Sequence, residues 1–450
     1  MTPRDGVTDG GARAGVPAGT PPAAGGRATR VRWRVCALLF AATVINYVDR
    51  QTLGILAPVL QRDIGWSEAD YGDIVSWFTI AYALGFLGIG RLIDAIGVRR
   101  GFAAAITTWS AAAMAHALAR TPFGFSVARF GLGLGESGHF PSAIKVVAEW
   151  FPQRERALAT GIFNAGSNVG AVLTPLLVPP IALAYGWRAA FVVTGALGFL
   201  WLAAWWRTYR APGAHPGVNA AELALITEDA ARSGDVGATE APRAGWRALL
   251  VRREAWAFAI GKALTDPVWW FHLYWLPKFL DARHGVTLTA LALPLVAVYT
   301  MADVGSVGGG WLSSRLIARG MAPLRARLVA LLAMALLTVP LLGASGVDSQ
   351  WGAVALVALA AAAHQGWSAN LFTLASDVVP ARSLGTLVGL GGFAGALGGV
   401  AFQRATGRVL EATGGDYTPL FLTCGLAYVL AWAAVRILLA PRLRAGGTTA

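Results

Sequence analysis

Charged residues are scarce in this 450-residue chain, at 14% of its length, whereas soluble domains carry roughly 25%. Cysteine occurs only twice, each time inside an apolar run, which argues against a disulfide scaffold. The formal net charge is +13, and because lysine occurs only three times, arginine supplies almost all of the positive charge. The arginines lie in short connectors between apolar runs and not in one stripe, which excludes nucleic-acid binding.

The motifs of soluble enzymes are also missing from the chain. It contains no G-x-S-x-G elbow, no H-E-x-x-H, no P-loop and no cluster of cysteine and histidine. We therefore expect no enzymatic activity, no cofactor and no metal site. Apolar residues form 56% of the chain, which is too much apolar surface for a disordered protein. A polytopic membrane protein remains, one that draws energy from an ion gradient.

Apolar segments of about 20 residues, the length that crosses a bilayer core, recur along the sequence. They predict an all-α membrane protein with twelve transmembrane helices in two pseudo-symmetric six-helix bundles. The predicted spans 1 to 12 lie near 35–60, 71–93, 101–120, 123–150, 156–184, 188–208, 255–281, 288–315, 325–344, 351–377, 384–411 and 418–440. The predicted domains are a disordered tail (1–30), an N-terminal bundle (31–208), a linker (209–250), a C-terminal bundle (251–441) and a tail (442–450). We expect a short amphipathic helix in the linker near 222–231.

The distribution of arginine predicts the orientation in the membrane. Arginines precede span 1 and follow spans 2, 4, 6, 8 and 12, whereas the loops on the other side contain fewer. The positive-inside rule then places both termini and the linker in the cytoplasm. Because the composition is rich in arginine and alanine and poor in lysine, we expect a bacterial inner membrane. The expected partner at this point is membrane lipid, and we expect a monomer.

One motif occurs twice, about half a chain apart. GRLIDAIGVRR closes span 2, and GWLSSRLIARG, which lacks the acidic residue, closes span 8. The first copy resembles the G-x-L-x-D-x-x-G-x-R-R signature of the major facilitator superfamily, and the resemblance covers 31–445. It implies a twelve-helix transporter with a conformational latch, although a basic loop with incidental glycines is the alternative. The expected latch residues are Gly90, Asp94, Gly97, Arg99 and Arg100.

Four ionisable residues lie at mid-depth in spans 1 and 4, where each costs ~2.5–3.5 kcal/mol to insert. Asp49 and Arg50 are adjacent in span 1, and Arg129 and Glu136 lie on nearly the same face of span 4. They predict a buried, mutually neutralising cluster in which an empty site pairs an arginine with an acid. The alternative is a structural salt bridge that clamps the two spans.

Three stretches around these residues carry a closer resemblance. INYVDRQTLGIL, RFGLGLGESGHFP and KVVAEWFPQRERALA resemble the anion:cation symporter branch of the superfamily, especially bacterial sugar-acid transporters for hexuronates, galactonate and glucarate. The resemblance implies proton-coupled uptake of a sugar-acid carboxylate, with Asp49 and Glu136 as the proton-coupling residues. The substrate-binding residues that it implies here are Tyr47, Arg50, Tyr82 and Arg129.

An arginine fork suits a carboxylate, and protonation of a paired acid would free its arginine for substrate. This shared partner would couple the proton to the anion. We hypothesise that protonation of Glu136 releases Arg129, and that Asp49 links proton binding to substrate affinity.

Further candidates are less specific. Asn164 and Asn168 in span 5 can bond sugar hydroxyls or simply join helices. The span 10 stretch HQGWSANLFTLASDVVP again resembles the hexuronate branch. Its candidate contacts, for which a cavity and a core position are equally open, are Gln365, Trp367 and Ser368.

Four other charged positions complete the set. Lys262 and Asp266 in span 7 are spaced for an i, i+4 pair. Asp303 in span 8 has no obvious partner, and Arg404 in span 11 is expected to snorkel.

The expected function is proton-coupled import of a sugar-acid anion, a hexuronate first, across the inner membrane by alternating access. Two alternatives remain open. One is import of another organic anion, such as the aromatic carboxylate phthalate. The other is a membrane sensor that binds sugar acids without transporting them.

Overall fold

The computed structural model describes residues 27–232, 250–378 and 381–445, which form α-helices and short turns and include no β-strand. The helices of the N-terminal half are α1 (Val31–Ile64), α2 (Glu68–Ile96), α3 (Val98–Ala115), α4 (Pro122–Glu136), α5 (His139–Trp150), α6 (Gln153–Tyr185) and α7 (Trp187–Thr208). The linker contains α8 (Ala220–Arg232). The helices of the C-terminal half are α9 (Arg253–Tyr274), α10 (Leu276–His284), α11 (Ala292–Ala318), α12 (Pro323–Thr338), α13 (Gln350–Val378), α14 (Ala381–Thr413) and α15 (Thr418–Ala445).

Helices occupy all twelve predicted spans, and two of these spans are each divided into two helices. Span 4 consists of α4 and α5, and span 7 consists of α9 and α10. Each second helix has a proline in its first turn, Pro141 and Pro277, and proline cannot donate the backbone hydrogen bond that would continue the preceding helix. Within the described ranges, six helices are apolar and long enough to cross a membrane by composition alone. The charged cluster lies on α1, which is one of these six helices, and on α4, which is not.

Two glycines let the helices of the N-terminal half approach closely. A Cβ at Gly133 of α4 would collide with the backbone carbonyl of Phe78 on α2. A Cβ at Gly170 of α6 would lie 2.6 Å from the carbonyl oxygen of Val44 on α1. These close contacts bring α2 and α6 against the helices that carry the charged cluster.

The predicted linker helix is confirmed as α8, and it binds the start of α1. The buried Glu222 carboxylate accepts the backbone N–H groups of Val31 and Arg32 at 3.1 Å each, and it pairs with the Arg32 guanidinium at 2.9 Å. Glu155 at the start of α6 takes the same guanidinium at 2.9 Å. We call this side of the protein the linker end.

The two halves are joined by ion pairs at the opposite side, the distal end, where α1 ends and α2 begins. These pairs are Arg62–Asp281 at 2.8 Å, Lys278–Glu68 at 2.5 Å and Arg404–Asp73 at 2.9 Å. The expectation that Arg404 merely snorkels is therefore wrong, because its guanidinium binds a carboxylate of the other half. A cleft of about 330 Å³ lies among the first two pairs.

Candidate functional site

The centre of the candidate site is a buried ion pair between α1 and α4. The Nη2 and the Nε of Arg50 each lie 2.7 Å from the Oε2 atom of Glu136. The same Nη2 also donates to the amide oxygen of Asn46 at 3.2 Å. The Glu136 side chain is fully buried and that of Arg50 is 6% exposed. Little water screens this pair, so it holds α1 and α4 together and satisfies each charge.

Aromatic rings surround the Arg50 guanidinium. Its central carbon lies 4.8 Å from the ring centre of Tyr47, 5.2 Å from Phe78, 5.0 Å from Tyr82 and 5.7 Å from Trp270. Trp270 belongs to α9, so the C-terminal half contributes to this wall. The rings stabilise the cation through their electron-rich faces, and the edge of its planar fork binds the Glu136 carboxylate.

Arg129 lies next to this pair but contacts neither acid. Its Nη1 donates to the backbone carbonyl of Arg50 at 3.2 Å, and its guanidinium lies over the rings of Phe78 and Tyr274 at 4.8 and 5.1 Å. The Nε and Nη2 of Arg129 have no hydrogen-bond partner among the described residues. The hypothesis that Glu136 restrains Arg129 is therefore wrong in its pairing, because Glu136 binds Arg50.

Asp49 is buried beside the pair, with 2% of its surface exposed. Neither carboxylate oxygen has a hydrogen-bond partner in the described part of the chain. The Glu136 carboxyl and the Thr194 hydroxyl of α7 lie near it. Asp49 therefore lies within electrostatic range of the Glu136 carboxyl group.

The two span 5 candidates differ in their surroundings. Asn168 of α6 lies against Asp303 of α11, so this contact joins the two halves and gives Asp303 a neighbour that the sequence did not indicate. Asn164, one turn away on the same face, is exposed. Their roles as sugar contacts stay predictions.

The span 10 candidates separate into core and half-buried positions. Trp367 is fully buried and its ring packs edge-on against Tyr428 of α15 at 5.6 Å, which places it in the core of the C-terminal half. Gln365 and Ser368 are half-buried on α13. His364 stacks on Trp269 at 5.1 Å. Of the three predicted contacts, only the two half-buried ones retain surface for a ligand.

The expected pair in span 7 forms. The Nζ of Lys262 lies 2.8 Å from an Oδ2 of Asp266, and the ammonium group also lies 4.9 Å from the ring centre of Phe372 on α13. The pair is on α9, whose Trp270 contacts Arg50.

The latch residues are only partly described. Gly90 and the side chain of Asp94 are outside the described part of the structure, so the expected pairing of Asp94 stays a prediction. Gly97 adopts a φ of 80°, a conformation that favours glycine, between α2 and α3. Arg99 donates to the carbonyl oxygen of Trp206 at 2.7 Å, and Arg100 is exposed.

Sequence reasoning missed Phe78, which contacts both arginines, and it gave Tyr274 no role under Arg129. An aromatic residue in an apolar span carries no sequence signal for such a role. The identity of the helix that faces an arginine becomes known only from the packing.

Comparisons with known proteins agree with this architecture. The family described as Major Facilitator Superfamily matches residues 39–403. The hexuronate transporter of Escherichia coli K12 is 29% identical over 394 residues, which are 87% of this chain and 90% of that protein. A probable galactarate/D-glucarate transporter of Bacillus subtilis is 30% identical over 404 residues, 86% of this chain and 88% of that protein.

The fold is also found in a solved structure. A bacterial homolog of the human lysosomal transporter Spinster, in an inward-facing and unoccupied conformation, superposes with a TM-score of 0.70. It is 20% identical and the match covers 92% of this chain and 96% of that one. This similarity concerns the fold alone.

Proposed function

Because the chain belongs to the Major Facilitator Superfamily, we propose that it is a proton-coupled symporter that imports a sugar-acid anion, with a hexuronate as the first candidate. The superfamily consists of transporters and not of enzymes. The relatives named for hexuronate and for galactarate or glucarate support the substrate class. The observation that carries the proposal is the buried Arg50–Glu136 pair beside the buried Asp49.

The substrate carboxylate binds between the two arginines. The Nε and Nη2 of Arg129 have no partner among the described residues. The Nε and Nη2 of Arg50 also become free to donate when Arg50 leaves Glu136. Two adjacent guanidinium groups can hold one carboxylate through charge-assisted hydrogen bonds. Tyr47 and Tyr82, whose rings lie over Arg50, are placed to contact the sugar beside that carboxylate.

Proton coupling follows from the competition for Arg50. Glu136 as an anion and the substrate carboxylate cannot both satisfy the same guanidinium fork. Protonation of Glu136 removes its charge, weakens its bond to Arg50 and so favours the substrate. Asp49, which lies close to Glu136, is the second proton-coupling residue of this proposal.

The conformation and the orientation are parts of the same proposal. The arginine-rich linker end faces the cytoplasm of a bacterial inner membrane, in agreement with the positive-inside rule. The ion pairs between the halves close the distal end, so the site opens toward the linker end. The two halves then rock about the midplane site.

The test is uptake of radiolabelled galacturonate into proteoliposomes under an imposed inward proton gradient, with phthalate as the competing organic anion. We expect the gradient to drive galacturonate accumulation, and Glu136→Gln to abolish accumulation while retaining exchange. Phthalate uptake in place of galacturonate uptake would contradict the substrate class. Unchanged accumulation in Glu136→Gln would contradict the coupling mechanism.

A further inference from the structure

The C-terminal half has its own half-buried ion pair, between Lys262 and Asp266, on the side of α9 that faces the Arg50 site. Lys262, Asp266 and Trp270 follow each other at intervals of four residues, so they occupy one face of this helix. Trp270 contacts the Arg50 guanidinium at 5.7 Å. The same face therefore extends from the Arg50 site toward the linker end.

The pair is accessible to a small ligand. The side chains of Lys262 and Asp266 keep 13% and 18% of their surface exposed, unlike the fully buried Glu136. Gly395 of α14 makes room for the carboxyl group, since a Cβ at this position would collide with the Asp266 carboxylate.

The spacing fits one six-carbon acid. Eight residues of α-helix separate Lys262 from Trp270 by roughly 12 Å of rise. An extended six-carbon chain measures about 6 Å between its terminal carbons, and a charge-assisted hydrogen bond adds about 2.8 Å at each terminus. The rise from Trp270, whose ring contacts Arg50, to Lys262 therefore matches the length of an open-chain six-carbon acid that is hydrogen-bonded at both termini.

We propose that the Lys262–Asp266 pair is a second substrate subsite, which binds the terminal hydroxyls of a sugar acid and rejects a second carboxylate. This inference rests on the proposed function and adds a choice between monocarboxylates and dicarboxylates. A hydroxyl group can accept from Lys262 and donate to Asp266 at the same time. The pair therefore stays intact when it binds a hydroxyl.

A second carboxylate meets the opposite situation. A carboxylate can only accept hydrogen bonds, so it must draw the Lys262 ammonium group away from Asp266. It then lies beside the negative charge of the Asp266 carboxylate. Asp266 would be left without its cation in a poorly hydrated site, which is strongly unfavourable. Discrimination by such a repulsive element is common where two ligands differ by one charged group.

The experiment compares the affinities of the purified full-length protein for two open-chain six-carbon acids, galactonate, with one carboxylate and a terminal hydroxyl, and galactarate, with two carboxylates, by calorimetry in lipid nanodiscs. We expect the wild type to prefer galactonate. Asp266→Asn leaves Lys262 as a free cation and should shift the affinity ratio toward galactarate by about tenfold or more. Asp348→Asn, the same chemical change at a pair on the surface of the same half, should leave the ratio unchanged.

The double variant with Lys262→Met and Asp266→Asn removes the pair without leaving a buried charge. It should lose the galactarate binding gained by Asp266→Asn, because no cation remains. Equal wild-type affinities, or an unchanged ratio in Asp266→Asn, would overturn the inference. A wild type that shows the expected ratio but no proton-driven uptake would refute the symport proposal and leave the subsite standing.

Discussion

Closure of the distal end depends most on the Lys278–Glu68 pair, and Glu68→Gln should open it. The Lys278 side chain is only 4% exposed, and its ammonium group also lies 4.8 Å from the Tyr71 ring centre. Neutral glutamine removes the only carboxylate that forms an ion pair with this buried cation among the described residues of the closed state. In the open state water solvates Lys278, so the substitution destabilises the closed state alone.

The magnitude follows from the exposure of the two partners. A hydrogen bond to a charged group contributes about 1.5–3 kcal/mol, and we reduce this to about 1–2 kcal/mol because Glu68 is 24% exposed. The open population should then rise roughly 5- to 30-fold. Asp73→Asn breaks the Arg404 pair, whose partners are 36% and 50% exposed, and should change the population by at most about 1 kcal/mol, or fivefold.

The assay is the labelling rate of Leu410→Cys by a membrane-impermeant maleimide. Leu410 lines the distal cleft and is 1% exposed, so labelling requires opening. The two native cysteines are buried and are replaced by alanine in this background. While the open state is minor, the labelling rate follows its population. A rate in Glu68→Gln equal to that of the parent, or below that of Asp73→Asn, would refute this reasoning.

Three further predictions concern packing, the linker and the substrate. Gly133→Ala should lower the melting temperature and the uptake rate, because the added Cβ collides with the backbone of α2. Gly161→Ala is the control, because the space around Gly161 is open, and it should lower neither quantity. Equal losses in the two variants would contradict this prediction. Glu222→Ala should destabilise the protein by about 1–2 kcal/mol, because it removes the cap of α1. Although burial alone would raise the pKa of Glu222, hydrogen bonds from Thr29 and Arg32 lower it below its usual value. The stabilisation should therefore be complete at neutral pH and be lost as the pH falls through that lowered pKa, so the difference in melting temperature between wild type and Glu222→Ala should close in acid. Arg129→Lys should weaken sugar-acid binding roughly tenfold, measured by calorimetry, because an ammonium group lacks the planar fork; unchanged affinity would exclude Arg129 from the site.

The helical architecture was predictable from the sequence because the length of each apolar run is set by the bilayer. The breaks in spans 4 and 7 were not predicted, although Pro141 and Pro277 mark them. Both prolines lie within apolar stretches, and a proline can either kink a membrane helix or divide it. The packing of the neighbouring helices decides between these outcomes.

The charged cluster was predictable because four charges in two apolar helices are too costly to leave apart. The pairing of Glu136 with Arg50 instead of Arg129 was not predictable, because it depends on how α1 and α4 are rotated against each other. The core position of Trp367 was not predictable either, because it depends on how α13 is rotated against its neighbours. A sequence shows that a tryptophan lies in a helix, but the face that it occupies depends on the neighbouring helices.

Competition between Glu136 and the substrate carboxylate for Arg50 is most directly tested by the pH dependence of galacturonate affinity. In the wild type the dissociation constant should fall as the pH is lowered, because protonation of Glu136 frees the guanidinium. In Glu136→Gln, which imitates the protonated acid, binding should be as tight at neutral pH as it is for the wild type in acid, with at most a small remaining pH dependence from Asp49. A variant that keeps the full wild-type pH dependence would contradict this mechanism.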